Sequence, residues 1–174
     1  MHQTPTTASS SLVTSSVSEY LAFVLGQEHY GIDVQNVQEI RSYERPTQLA
    51  DSPAFIKGVI NLRGVIVPVA DLRLRFQIEV ARYGALTVVI ILNVKGRTVG
   101  LVVDAVSEVV ALSSDEVRPM PTMSAAVGAA CVRGVGTANG RMLMLVDIDK
   151  LMTEMGMNGQ HALREASLAT GCTT

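Results

Sequence analysis

Lys57-Gly58-Val59-Ile60-Asn61-Leu62-Arg63-Gly64-Val65-Ile66-Val67-Pro68-Val69-Ala70-Asp71-Leu72 decides the fold, because the chain writes this stretch twice. At an offset of 76, Lys57-Gly58-Val59 recurs as Arg133-Gly134-Val135, Gly64 falls on Gly140, and Val65 to Leu72 fall on Arg141 to Ile148. Upstream the offset is 69: Gly31-Ile32-Asp33-Val34 and Val37-Gln38-Glu39-Ile40 fall on Gly100-Leu101-Val102-Val103 and Val106-Ser107-Glu108-Val109. Two matches in the same order make internal duplication the better explanation than chance. Two similar halves usually leave a groove between them, where a partner binds.

Each copy carries the signs of short strands. Tyr20 to Leu25, a break at Gly26-Gln27-Glu28, and His29 to Ile32 predict a hairpin, as do Thr87 to Val94, a turn at Lys95-Gly96-Arg97, and Thr98 to Val103. A second hairpin closes each half, turning at Arg63-Gly64 and at Asn139-Gly140. The apolar spacing of Val34, Val37 and Ile40, and of Val103, Val106 and Val109, suits a short helical turn, against which their β-branched side chains weigh. Four or five strands per half with tight glycine turns suit a small closed barrel, which removes exposed edges. The expectation is an all-β fold of two five-stranded SH3-like barrels, at roughly residues 19–83 and 84–152. A disordered Ser/Thr-rich tail (1–18) precedes them and a helical or flexible extension (153–174) follows, with helix formers from Gln160 to Ala169. Asp147 or Asp149 is placed to cap a helical turn through Leu151-Met152.

Composition narrows the function. Apolar residues make up 48% of the 174-residue chain, enough for a sizeable core, and with no Trp that core must rest on Val, Ile, Leu and Met. A net charge of −2 and the lack of any basic block argue against nucleic acid. The N-terminus has no secretory pattern, and no run reaches the ~18 apolar residues of a membrane span. Cys131 and Cys172 read as reduced thiols of a cytoplasmic protein.

Catalytic signatures are scarce. His2, His29 and His161 are scattered without metal-ligand spacing, and no phosphate-binding loop or nucleophile elbow is present. No cofactor is expected. Asp71 and Asp147 hold equivalent places; a paired-carboxylate hydrolase is conceivable, but at a strand end such oxygens more often accept backbone N–H bonds. Arg63 is of more interest, because the turn explains Gly64 but does not require an arginine, and the matching tip Thr137-Ala138-Asn139-Gly140 is uncharged. Glu39 and Arg41 flank Ile40 nearby.

Glu19 to Met152 resembles the CheW family of bacterial chemotaxis coupling proteins. The resemblance rests on Tyr30-Gly31-Ile32-Asp33, on Val37-Gln38-Glu39-Ile40-Arg41, on Pro53 to Leu72, on Arg118-Pro119-Met120-Pro121 and on Arg133 to Ile148. It implies a non-enzymatic adaptor, cytoplasmic and recruited to membrane-associated arrays. There it joins the tips of methyl-accepting chemoreceptors to the regulatory domain of the histidine kinase CheA. By matching position, the receptor-facing groove would include Val37, Glu39, Arg63, Val88, Gly100 and Val109, and the kinase-facing surface Ile40, Lys57 and Gly58. Glycine at 58 would admit the kinase backbone closely, so Gly58→Asp is expected to abolish kinase binding while the fold survives. A second kinase contact, closing rings of kinase and coupler, would use Arg118 and Met123, where Met123 departs from the aromatic common in the family. The rival readings are an adaptor of a related chemosensory pathway and, more distantly, an SH3-like nucleic-acid binder.

Overall fold

The computed structural model describes residues 15–78, 82–121 and 129–156. Within them the β-branched runs form eleven strands: β1 (Val17–Leu25), β2 (Glu28–Asp33), β3 (Val37–Ser42), β4 (Ile56–Leu62), β5 (Val65–Asp71), β6 (Val88–Val94), β7 (Arg97–Val103), β8 (Ala105–Ser113), β9 (Val117–Arg118), β10 (Val132–Ala138) and β11 (Arg141–Val146). Short helices α1 (Leu72–Arg75) and α2 (Ile148–Glu154) follow β5 and β11. Where spacing suggested helical turns, only Val34–Asn36 is one; Val37–Ser42 and Ala105–Ser113 are strands, as β-branched side chains prefer. Val17 and Ser18, assigned to the tail by sequence, pair with Ser113 and Leu112 as the start of β1. The expected helix at Gln160–Ala169 lies outside the described residues.

The two sheets run β3-β6-β7-β5-β4 and β8-β1-β2-β11-β10-β9. Exchanging the equivalent strands of the two halves converts the first order into β8-β1-β2-β11-β10, so the duplication is a structural one. The expected partition at residues 83 and 84 needs correction, however. Each barrel takes its opening hairpin from the other half: β6-β7 lies between β3 and β5, and β1-β2 lies between β8 and β11. The repeat predicted the hairpins but not which sheet each would join. Neither half contains a complete sheet.

The crossover points explain why two glycines recur. In one parallel junction Leu145 lies opposite Gly31, and in the other Val69 lies opposite Gly100. A Cβ on Gly31 would come within 2.8 Å of Leu143, and one on Gly100 within 2.9 Å of Val89. These positions admit only a bare backbone without repacking.

Between the sheets lies the main core. It combines Leu21, Phe23, Leu25 and Ile32 of one sheet with Ile90, Leu92, Leu101 and Val103 of the other. Smaller clusters fill each barrel: Leu62, Val67, Val69, Val89, Ile91 and Val102 in one, and Tyr20, Ala22, Val110, Leu112, Leu143 and Leu145 in the other. Asp71 and Asp147 cap α1 and α2, accepting hydrogen bonds from the backbone N–H groups of Arg73 and Lys150.

Candidate partner-binding surfaces

Three hairpins close on two-residue turns with positive φ at both central positions, at Arg63-Gly64, Lys95-Gly96 and Asn139-Gly140. Glycine and asparagine suit this geometry, whereas arginine at φ 51° is disfavoured by roughly 1–2 kcal/mol. Arg63 is held there by Glu39 on β3, whose carboxylate accepts from the guanidinium at 2.9 Å. Its side chain is 74% exposed, so the pair adds little stability of its own. The second half repeats the tie with a neutral donor: Asn139 donates to Glu108 at 3.0 Å. Arg63 therefore has a geometric counterpart, and only the charge is particular to the first tip. Beside Arg63, Val65 and Ile66 are exposed.

β3 separates the sequence-selected residues onto two faces. Ile40 and Ser42 lie opposite Ile90 and Val88, on the side of the main core, and Val37 and Val88 pack against that core half-buried. Glu39 and Arg41 lie opposite Ile91 and Val89, on the side of the barrel's own cluster. Ile40, assigned to the kinase, thus shares a face with Val37 and Val88, assigned to receptors. Val109 holds the position equivalent to Ile40 on β8, opposite Leu21, and the two are 51% and 44% exposed. Val37, Ile40, Val88, Val106 and Val109 form an apolar rim to the main core.

Two of the selected positions cannot meet a partner directly. Gly100 is buried against Val69, Val89 and Ile91. Gly58 is buried beneath the chain's own backbone: Thr47 and Val59 exchange two hydrogen bonds of 2.9 Å, and a Cβ on Gly58 would lie 1.9 Å from the Thr47 carbonyl oxygen. The close approach foreseen at this glycine is real, but it is intramolecular. Gly134 repeats it beneath Arg118, whose strand β9 pairs with Val135. Arg118 is exposed on that edge, and Met123 lies outside the described residues.

Comparison with known proteins follows the same outline. Residues 19–155 match the CheW-like domain. The chain belongs to the CheW family. It is 49% identical to the chemotaxis protein CheW of Klebsiella aerogenes over 139 residues, covering 80% of this chain and 84% of that one. Identity to CheW of Rhizobium meliloti is 34%, covering 80% and 90%. Protein FrzA of Myxococcus xanthus is 30% identical, with coverage of 77% and 84%. The crystal structure of the scaffolding protein TtCheW from Thermoanaerobacter tengcongensis superposes with a TM-score of 0.71 at 33% identity, covering 75% of this chain and 89% of that one. The SH3-like architecture is thereby that of CheW.

One cluster in this CheW-family chain carried no recognisable signal in the sequence. Arg73 on α1 is 1% exposed, yet charged. Its guanidinium forks onto Asp71 at 3.0 and 2.8 Å, and donates to Asp104 at 2.8 Å and to the Arg82 carbonyl at 2.6 Å. Burial alone would lower its pKa, but the bonds to Asp71 and Asp104 overcome this and raise it. Asp104 also accepts from the Gly26 N–H at 2.7 Å, which ties α1 to both exchanged hairpins. Tyr83 covers the guanidinium and donates to Asp71 at 2.8 Å; burial and that bond push its phenol upward, so it stays a donor. The Tyr83 ring also stacks on Tyr43, with centroids 4.5 Å apart, and has Lys57 5.3 Å from its centre. The local pattern Asp71-Leu72-Arg73-Leu74-Arg75 looks like an exposed helical turn; only Asp104, 31 residues on, makes Arg73 a buried group.

Asp71 and Asp147 sit at the ends of strands in different sheets. Asp71 is wholly buried and committed to Arg73 and Tyr83. The pair therefore offers no shared acid–base cleft. No helix of the described residues is long and apolar enough to cross a membrane.

Proposed function

We propose that this chain is a non-enzymatic cytoplasmic scaffold that couples the tips of methyl-accepting chemoreceptors to the regulatory domain of the histidine kinase CheA. The observation that carries this is the match to CheW over both barrels, residues 19–155, at 49% identity to a chemotaxis CheW. The surfaces support it physically. A receptor tip is a helical hairpin, and its apolar stripe fits a rim built from Val37, Val88 and Val109. Arg63 and Glu39, paired with each other beside the other face of β3, set register and partner choice more than affinity. The kinase meets the first barrel around Ile40 and Lys57, with Gly58 shaping this surface from beneath. A second contact runs through Arg118 on β9.

Arg63→Asn tests the assignment without confounding it with folding, because it copies the second tip. Asparagine suits the positive φ and retains a donor for Glu39, so stability should change by no more than ~1 kcal/mol. Receptor-stimulated kinase phosphorylation should fall severalfold in a reconstituted mixture. Wild-type stimulation by a fully folded variant would remove Arg63 from the receptor surface.

The likeness to FrzA favours one second reading, an adaptor in a related chemosensory pathway. Identifying the receptor and kinase that co-purify with the chain from its host separates the two.

A further inference from the structure

The first barrel carries a pocket of about 320 Å³ walled by Tyr43, Pro46 and Tyr83 and bordered by Arg45, Gln48 and Lys57. Two cations face it, and among the described residues neither has a carboxylate partner, nor does any carboxylate line the pocket. The nearby acid Asp71 is engaged by Arg73 and Tyr83. Duplication supplies an internal control. At the position equivalent to Lys57, Arg133 lies over Tyr20 and donates to its hydroxyl, so that cation is satisfied within the chain. Lys57 lies 5.3 Å from the Tyr83 ring centre but makes no such bond to the Tyr83 hydroxyl, which donates to Asp71.

We infer that this pocket is an acceptor for a carboxylate side chain on an acidic segment of a protein partner. The tyrosine faces and Pro46 take the aliphatic stem, and Lys57 and Arg45 take the charge. Two cations in an aromatic recess suit one or two carboxylates, whereas a nucleic-acid backbone needs a longer basic stripe. The pocket is held on its inner side, because Tyr83 stacks on Tyr43, lies against the buried Arg73 guanidinium and donates to Asp71. A preformed site of this kind loses little entropy when a partner docks. Lys57 belongs to the kinase-facing surface, so the partner is the kinase regulatory domain; this identification rests on the function proposed above.

The test is a binding titration of the full chain with that regulatory domain at about 50 mM and about 500 mM salt, where screening differs strongly. The double variant Arg45→Glu/Lys57→Glu should bind roughly tenfold or more weakly at low salt and lose most of the salt dependence. Both side chains border solvent, and an unchanged melting curve shows that the fold is intact. Ile40→Asp, on the exposed strand β3, serves as the second arm. Wild-type affinity and salt dependence in the double variant, with binding lost in Ile40→Asp, would overturn the pocket and leave the kinase surface standing. Wild-type binding by both variants would overturn the kinase surface and the pocket together.

Discussion

Arg73→Ala is expected to cost about 3–5 kcal/mol, the usual consequence of removing one member of a buried ion pair. The substitution removes both guanidinium bonds from the wholly buried Asp71, leaving it only the backbone N–H of residue 73 and the Tyr83 hydroxyl, and takes one donor each from Asp104 and the Arg82 carbonyl. Against a typical stability of ~5–15 kcal/mol this is a large fraction. The melting temperature should fall by on the order of 10 °C. Adding Asp71→Asn to the variant should recover part of the loss, because a buried amide costs less than an unpaired carboxylate. Denaturant unfolding of the two variants measures both effects. A loss below ~1 kcal/mol for Arg73→Ala would mean that the clamp is not what holds α1 to the β1–β2 and β7–β8 turns.

Gly58→Asp should destabilise the first barrel before it affects any partner. At φ 137° an L-residue is strained, and its Cβ would stand 1.9 Å from the Thr47 oxygen and 2.6 Å from the Thr47 carbonyl carbon. Relief requires the segment around Thr47 to lift from β4, breaking two hydrogen bonds worth ~0.5–1.5 kcal/mol each. Backbone strain contributes about 1–3 kcal/mol more, so a total near 3–4 kcal/mol is expected. Amide exchange at Thr47 and Val59 should accelerate together with the drop in denaturant midpoint. A variant with wild-type exchange at both amides and no kinase binding would restore Gly58 as a direct contact.

These two positions mark where the sequence ceased to be informative. Gly58 is conspicuous as a repeated glycine, but the repeat does not say whose backbone approaches it. The answer depends on Thr47, which the loop brings back across β4. Arg73 is harder still, since it sits among alternating leucines on a helix of one turn, and its second partner comes from the other half of the chain. Local patterns were legible because they are local. The turns at Arg63-Gly64 and Asn139-Gly140, the caps at Asp71 and Asp147, and the hairpins all depend on neighbours in sequence. The hairpin exchange was not legible, since β1-β2 and β6-β7 have near-identical patterns and either could complete either barrel by apolar pairing alone. The candidate site is intermediate. Glu39 and Arg63, which the resemblance assigns to one groove, are hydrogen-bonded neighbours, while the division between receptor and kinase follows neither face of β3 and Gly100 is interior.

Coupling is most directly tested by co-sedimentation of receptor-bearing membranes with the kinase regulatory domain, in the presence and absence of this chain. If the chain is the bridge, the regulatory domain pellets only when the chain is added, and Arg63→Asn carries markedly less of it down. A regulatory domain that stays in the supernatant although the chain itself pellets with the receptors would contradict the coupling role.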